Sequence, residues 1–405
     1  MPRNGCAPVR NPRALDLLNF FVADVQTGFG PFVAVYLTTH KWTQVEIGFV
    51  LTLGTIVALI SQVPAGALVD AARNKRAAAG AALIFVIIAA LLLALQPTPL
   101  PVMVAQILHA FASCVLTPAI AAISLHLVGH MALGERLGRN ARYASLGNGL
   151  AAAVMGATGA WLSSRAVFLL TAALCVPALL SLLAIGRGEH ARQQTTARIF
   201  DWQGLRRLFT KPPLLAFAGA VVLFHLSNAA MLPLVGATVT MRAGAFANLI
   251  IAACIVIPQG VVALCSPAVG RTAAVLGRRP LLLLGWCALP ARGFLLAVLP
   301  GAWLPIAAQA MSGISGAVFG VMLPLLAADI TRGTSHFNLC MGALGLAVSL
   351  GAALSTTLGG WIADTAGVQI AFASLALVGM AATLFVWLAM PETAQLRAGV
   401  PAPPA

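Results

Sequence analysis

Residues 63–76 read VPAGALVDAARNKR. The stretch begins as membrane-grade apolar chain, then places one acid, Asp70, and three bases, Arg73, Lys75 and Arg76, within seven residues. Beyond it the chain turns apolar again, AAAGAALIFVIIAALLLAL over 77–95. A short charged knot between two apolar segments, each about 20 residues long, is the pattern of a turn joining two membrane spans.

Composition extends that reading to the whole chain. Of its 405 residues 60% are hydrophobic and only 8% are charged, against roughly 25% charged in a soluble globular protein. Twelve apolar segments fall near 17–38, 46–68, 77–95, 101–127, 141–162, 166–186, 214–239, 246–270, 280–299, 303–329, 338–361 and 369–390. The lipid core offers no partner to a free backbone amide, so spans must be helices or a closed barrel. Continuous apolar runs without strand-like alternation select helices. The N-terminus, MPRNGCAPVRNPRALD, has no short apolar core ending at a cleavage site, so no removable signal peptide is expected and the first segment stays as a span.

The net charge of +14 invites a nucleic-acid reading, but the placement of the bases argues for membrane sorting. With the N-terminus cytoplasmic, all but four of the 24 Lys and Arg fall on cytoplasmic segments. Lys41, Arg165 and Arg242 lie in external loops and Arg292 lies inside a span. That is the positive-inside bias, and it puts both termini in the cytoplasm. Trp42, Trp161, Trp303 and Trp361 fall at predicted external span ends, where amphipathic rings prefer to sit. The expected partners are a lipid bilayer, a small molecule and protons, with no nucleic acid and a monomeric chain.

The chain also repeats itself. Gly66 and Gly270, 204 positions apart, each end an even-numbered span before a basic turn, and at the same offset Asp24 matches Asn228. The fourth span opens AQILHAFAS and the tenth AQAMSGISG; the fifth ends Gly159-Ala-Trp161 and the eleventh Gly359-Gly-Trp361. The expected organisation is an N-terminal six-helix bundle (1–186), a basic cytoplasmic linker (187–213), a C-terminal six-helix bundle (214–391) and a disordered cytoplasmic tail (392–405). The linker contains IFDWQGLRRLF, which reads either as an amphipathic helix on the inner membrane face or as a solvated loop.

With twelve spans in two halves around it, the opening stretch resembles the signature loop of the major facilitator superfamily, roughly G-x-x-x-D-R-x-G-R-R/K between spans two and three. The chain has Gly66-Ala-Leu-Val-Asp70-Ala-Ala-Arg73-Asn74-Lys75-Arg76, keeping the first Gly, the Asp and the bases. The second half has Gly270-Arg-Thr-Ala-Ala274-Val-Leu-Gly277-Arg278-Arg279-Pro280, keeping the basic end and lacking the Asp. The resemblance implies an all-α membrane fold of two pseudo-symmetric six-helix bundles. It also implies a cytoplasmic gate built from Gly66, Asp70, Arg73, Lys75, Arg76, Gly270, Gly277, Arg278 and Arg279. In it Asp70 sits against the start of the eleventh span near Asn338, and Asp329 pairs with Arg278 or Arg279. The alternative for the bases is that they only obey topology.

In that fold spans one, four, seven and ten line a central cavity. Here span one carries Asp24, Thr27, Gly28 and Pro31 on one face, and span four carries Gln106, His109, Ser113 and Thr117. Span seven carries His225 and Asn228; span ten carries Gln309, Ser312 and Gly316. Ionisable groups inside a bilayer are costly and mark function by default. Asp24, the acid placed well within a span, is read as a proton-coupling carboxylate, as counter-charge to a cationic substrate, or as half of a structural ion pair. His109 and His225 are read either as relay partners or as neutral hydrogen-bonded groups. Arg292, in an outer helix, is expected to snorkel its long stem toward the external face, with substrate binding as the alternative.

Many proton-coupled exporters of the superfamily have an Arg where this chain has Gln106, and drug antiporters have a Gly-Pro pair where it reads Val154-Met-Gly-Ala-Thr-Gly159. Coupling would therefore fall to Asp24 and the histidines. The seven cysteines include no C-x-x-C, so neither disulfide nor metal is expected. There is no phosphate-binding Gly-Lys-Ser/Thr loop, no zinc motif and no nucleophile elbow, so no cofactor and no enzyme activity are expected. The expectation is a multi-pass secondary transporter of the inner membrane, exporting a small organic compound against proton inflow. Proton-coupled uptake, uniport and a non-transporting membrane receptor are the alternatives.

Overall fold

The computed structural model describes residues 12–27, 29, 31–185, 206, 210–242, 247–298 and 304–393, and among these every regular element is a helix. The elements are α1 (Pro12–Thr27), α2 (Pro31–Thr39), α3 (Gln44–Ala71), α4 (Lys75–Leu95), α5 (Pro99–Trp161), α6 (Ser164–Ala184) and α7 (Pro212–Asn228). They continue with α8 (Met231–Arg242), α9 (Ala247–Val275), α10 (Arg279–Val298), α11 (Leu304–Ile330), α12 (Phe337–Ala366) and α13 (Val368–Ala389). The linker segment expected as an amphipathic helix, apart from Arg206, lies outside the described residues, as do Gly28, Trp303 and the tail from 394.

Among the described residues ten helices are long and apolar enough to cross a membrane, one of them covering the fourth and fifth segments, and the expected spans differ from regular rods in three places. The first span is divided into α1 and α2, with Pro31 opening α2, where a missing N–H costs nothing. The seventh is divided at Ala229–Ala230, because Pro233 cannot donate to the carbonyl of Ala229. α5 holds the fourth and fifth spans as two helices that meet at a break, where Gly129 takes the non-helical φ 68°, ψ 178°. The basic stretch just past it, 130–140, expected as a loop, is thus the start of the second helix.

Local chemistry explains the tight turns. Thr43 and Glu46 form a reciprocal capping box at the start of α3. Asn74 ends the α3–α4 turn by accepting from the amides of Arg76 and Ala77, at 3.1 and 3.3 Å. Ser163 caps α6 in the same manner.

One apolar core, including Leu15, Leu18, Leu83, Leu116 and Phe168, is built by α1–α6. Another, including Phe217, Trp286, Val321 and Leu344, is built mainly by α7 and α9–α13 with residues 121–137 of α5. The two bundles meet at the end carrying Asp70 and the bases, called here the basic end. There Gly66 of α3 lies against the backbone of Asn338 in α12, and Gly342 of α12 against Gln62 of α3. Shifted by 204 positions the same contacts recur: Gly270 of α9 lies against Gly134 of α5, and Gly138 against Ser266. A Cβ added at Gly134 would stand 2.7 Å from the Gly270 carbonyl oxygen. These contacts are backbone on backbone, possible only because no side chain intervenes.

Away from the basic end the same four helices part. Gly48 of α3, Gly156 of α5, Gly260 at the middle of α9 and Gly360 of α12 meet no atom within 4 Å of a Cβ position. Along α12, Phe337–Leu344 are all buried, whereas beyond Gly351 only Ser355 and Gly359 are. The seam between the bundles is shut at the basic end and open at the other.

Gly270→Val should therefore wedge this seam. Cysteines placed at the basic end should become labelled by a membrane-impermeant thiol reagent more than about tenfold faster than in the parent, because overpacking costs about 1–3 kcal/mol. An equal labelling rate would show that the contact does not hold the seam.

Candidate functional site

The basic end is joined by a carboxylate. Asp70, buried at the end of α3, accepts hydrogen bonds from the backbone amides of Asn338 (3.0 Å) and Leu339 (2.7 Å) and from Asn338 Nδ2 (2.7 Å). Those amides belong to the first turn of α12, where donors are otherwise unpaired and the helix dipole favours a negative charge. This clasp crosses from one bundle to the other.

The bases act mostly within their own bundle. Lys75 Nζ donates to the carbonyls of Val69, Asp70 and Ala72, closing the end of α3, and Arg76 donates to Ile185 O just past α6. In the second bundle Arg279 donates likewise to Trp387 O in α13. Arg278 Nε donates to Asp329 at 2.9 Å, both side chains buried, and this ion pair also stays inside the second bundle. Gly277, at φ +91°, lets the chain turn under the Glu392 carboxylate, which accepts from the amides of Arg278 and Arg279 and so caps α10. Arg73 is exposed.

A further network was not anticipated. Asp16 of α1 is buried and accepts from Arg136 and Arg139 of α5. Arg136 Nε also donates to Asn140, and Asn140 Nδ2 donates to Ser124 Oγ. The signal was present in the sequence as an acid just before the first span and bases in the 128–140 stretch. As loop charges they give no hint that the second helix of α5 begins at the Gly129 break and carries them inward.

Between the two ends lie the polar groups of spans one, four, seven and ten. Asp24 of α1 is 5% exposed and has no hydrogen bond or ion pair among the described residues. His109 of α5 is stacked on Phe29, ring centroids 3.9 Å apart and planes within 7°, and lies 3.4 Å from Ser113 Oγ. Gln106 is buried, its Oε1 3.3 Å from a Cβ position on Gly54. His225 of α7 lies 3.1 Å from Val221 O and edge-on to Phe319. Ser312 of α11 is half-buried, whereas Gln309 is buried. Among the described residues Gln106 Nε2 and Gln309 Nε2 have no partner. The structure brings His109, Ser113 and the Phe29 segment together, but no hydrogen bond joins Asp24 to either histidine among the described residues.

Arg292 departs from expectation. Instead of snorkelling outward it is 1% exposed. Its Nη1 donates to Asn228 Oδ1 at 2.7 Å, and its Nε has no partner. Met231, where α8 begins, and Ala376 of α13 crowd the adjacent Gly293, so the helix bearing Arg292 is held tightly behind the division of the seventh span.

Two substitutions probe these contacts. Asp70→Ala removes every acceptor from the start of α12 and should shift the protein at least about tenfold toward a form open at the basic end, since hydrogen bonds to a charged acceptor are worth about 1.5–3 kcal/mol each. Thiol labelling at that end measures it, and an unchanged rate would deny the clasp. Asp16→Ala leaves Arg136 buried without an acid and should cost about 3–5 kcal/mol of stability, read as a lowered melting temperature of the purified protein.

The sequence profile of the Major Facilitator Superfamily matches residues 15–260. Proteins of two Mycobacterium tuberculosis strains, each described as an uncharacterized MFS-type transporter, are 38% identical over 397 residues, covering 95% of this chain and 94% of theirs. Among solved structures, the human organic anion transporter superposes with a TM-score of 0.74 at 14% identity, covering 94% of this chain and all of that one. A proton:xylose symporter does so with 0.68 at 17%, covering 96% and 98%, and the Escherichia coli fucose:proton symporter with 0.72 at 15%, covering 94% and 98%. The structural likenesses speak for the fold, the relatives and the profile for descent: the chain belongs to the Major Facilitator Superfamily, and is a multi-pass membrane protein of secondary transport.

Proposed function

We propose that the protein is a proton-coupled exporter of a small organic compound, with Asp24 as the group that takes and releases the proton. The observation that carries this reading is Asp24 itself: a buried acid within a span, with no cation and no hydrogen-bond donor committed to it among the described residues. A structural ion pair would show a partner, as Asp16 and Asp329 do. A carboxyl left unpaired inside a membrane is free to change protonation state as its surroundings change.

Orientation follows from the positive-inside rule: the basic end faces the cytoplasm, both termini are cytoplasmic, and the membrane is the inner membrane. The bundles 1–186 and 214–391, linked by 187–213, then rock about a midplane site, and the shape described above is the outward-open state. In it the glycine seam and the Asp70 clasp are the closed cytoplasmic gate, and Asp24, Gln106, His109, Ser113, His225, Asn228, Gln309 and Ser312 line the path. No paired catalytic groups at helix-turn spacing suggest an enzyme.

The test is proton movement in energised inverted vesicles, followed by a pH-sensitive dye against a broad panel of dyes, antibiotics, sugars, amino acids and organic acids. At least one compound should dissipate the gradient with the parent protein and at most a tenth as much with Asp24→Asn. Equal responses from the two proteins would remove Asp24 from the coupling role. No response with either would turn the reading toward uptake.

A further inference from the structure

The buried arginine at the divided seventh span has no acid to balance it among the described residues. Arg292 lies 1% exposed in the middle of α10, and Asn228 is its one hydrogen-bond partner among the described residues. Its Nε, fully enclosed, has no acceptor among the described residues. Elsewhere this protein pairs its buried arginines: Arg136 with Asp16, Arg278 with Asp329. A buried cation without a counter-charge is costly in a protein interior and more so within a membrane. Packing does not call for it, since α10 fills the core beside it with Trp286 and Leu289.

Asn228 shows what the cation is for. It is half-buried, on the same face of α7 as His225 one turn earlier, whereas Arg292 lies directly behind it. Because Arg292 holds the amide oxygen, the amide's orientation is set, and among the described residues its Nδ2 remains as an uncommitted donor. A donor backed by a fixed positive charge in a low-dielectric site is a receptor for an anion, and a compact one, since a single amide presents it. The twofold repeat sharpens the point. Asn228 is the counterpart of Asp24 at the 204-residue offset, so corresponding positions in the two bundles carry a free acid and an arginine-backed amide.

We propose that Asn228, held and polarised by Arg292, is an anion-recognition site, and that the transported compound bears a carboxylate which lands there. Asn228 is the contact and Arg292 the positioning residue. The proposal rests on the reading of α7 as a wall of the transport path and names the substrate class for it. It does not depend on Asp24 carrying protons.

The test uses the full-length protein purified in detergent, where no gradient exists, so its outcome is separate from that of the proton-coupling experiment. Thermal stability is titrated with acetate, hexanoate, benzoate and succinate, each against its own amide. At least one carboxylate should bind the parent at least about tenfold more tightly than the matching amide, the scale expected of one charge recognised in a buried setting. Asn228→Asp sets an acid of the same size against Arg292 and should erase that preference while leaving the unliganded melting temperature unchanged or raised. Arg292→Gln should erase it too.

A second measurement needs no ligand. With the native cysteines replaced, Asn228→Cys should react with an anionic sulfonatoethyl methanethiosulfonate faster than with its cationic trimethylammonium analogue. The ratio of rates should fall about tenfold when Arg292→Gln is added. Carboxylates that bind no better than their amides, a preference that survives Asn228→Asp, or a labelling ratio indifferent to Arg292 would each overturn the proposal.

Discussion

Everything at the basic end depends on the absence of side chains along four helix edges. Two bundles that must separate cannot be interlocked by large apolar residues, because lipid tails are as apolar as leucine and give little reason for helices to prefer each other. What is left is close backbone approach with a few directional bonds. Gly66, Gly342, Gly134 and Gly138 supply the approach. Asp70 supplies the bonds, spending its carboxylate on amides that α12 cannot satisfy internally. Such a seam is firm when shut and exposes little when parted, because the groups released are amides and a carboxylate at the water interface, where solvent replaces each lost bond.

The same economy governs charge. Most bases at the basic end neutralise nothing across the seam. Lys75 and Arg76 in one bundle, Arg278 and Arg279 in the other, close the carbonyl ends of helices or pair with acids of their own half. Each bundle is thereby stapled as a rigid body, third span to sixth, with Asp16–Arg136 adding a tie between α1 and α5 in the first. Rigidity within halves and weak, bistable contact between them is the combination that rocking motion requires.

Much of this was legible in the sequence because the bilayer imposes a coarse grammar. Runs of apolar residues had to be helices, and bases had to sort to one side. What escaped notice depended on details that hydropathy averages away. The charged stretch 128–140 reads as a loop, yet only Gly129 breaks the helix there and the fifth-span helix starts directly after it, since a helix outside the bilayer can form in water with its backbone bonded. The division of the seventh span at Pro233 was hidden because its sequence is as apolar as its neighbours. For Arg292 the length of its stem favours snorkelling. That reading weighs length against depth and cannot see that Asn228 waits on the inner side of the helix. The polar residues of spans one, four, seven and ten are legible as stripes, but whether two stripes touch is a matter of tertiary geometry, and no period in the chain encodes it.

The two copies of the signature loop differ, and the structure supplies a reason. The second copy has Ala274 where the first has Asp70. Asp70 is useful because α12 begins at Phe337, leaving the amides of Asn338 and Leu339 unpaired in its first turn. At the 204-residue offset those positions are Gly134 and Glu135. The helix after the Gly129 bend is already under way there, so their amides are engaged in the helix itself. A carboxylate at 274 would find no free donors, and it would stand near Glu135, which lines the same small cavity between α5 and α9. The loss of the acid is thus the consequence of a helix that starts one turn earlier. In its place Gly270 and Gly134 meet directly, so the two seams share a geometry and differ in chemistry: one is bonded, the other merely close.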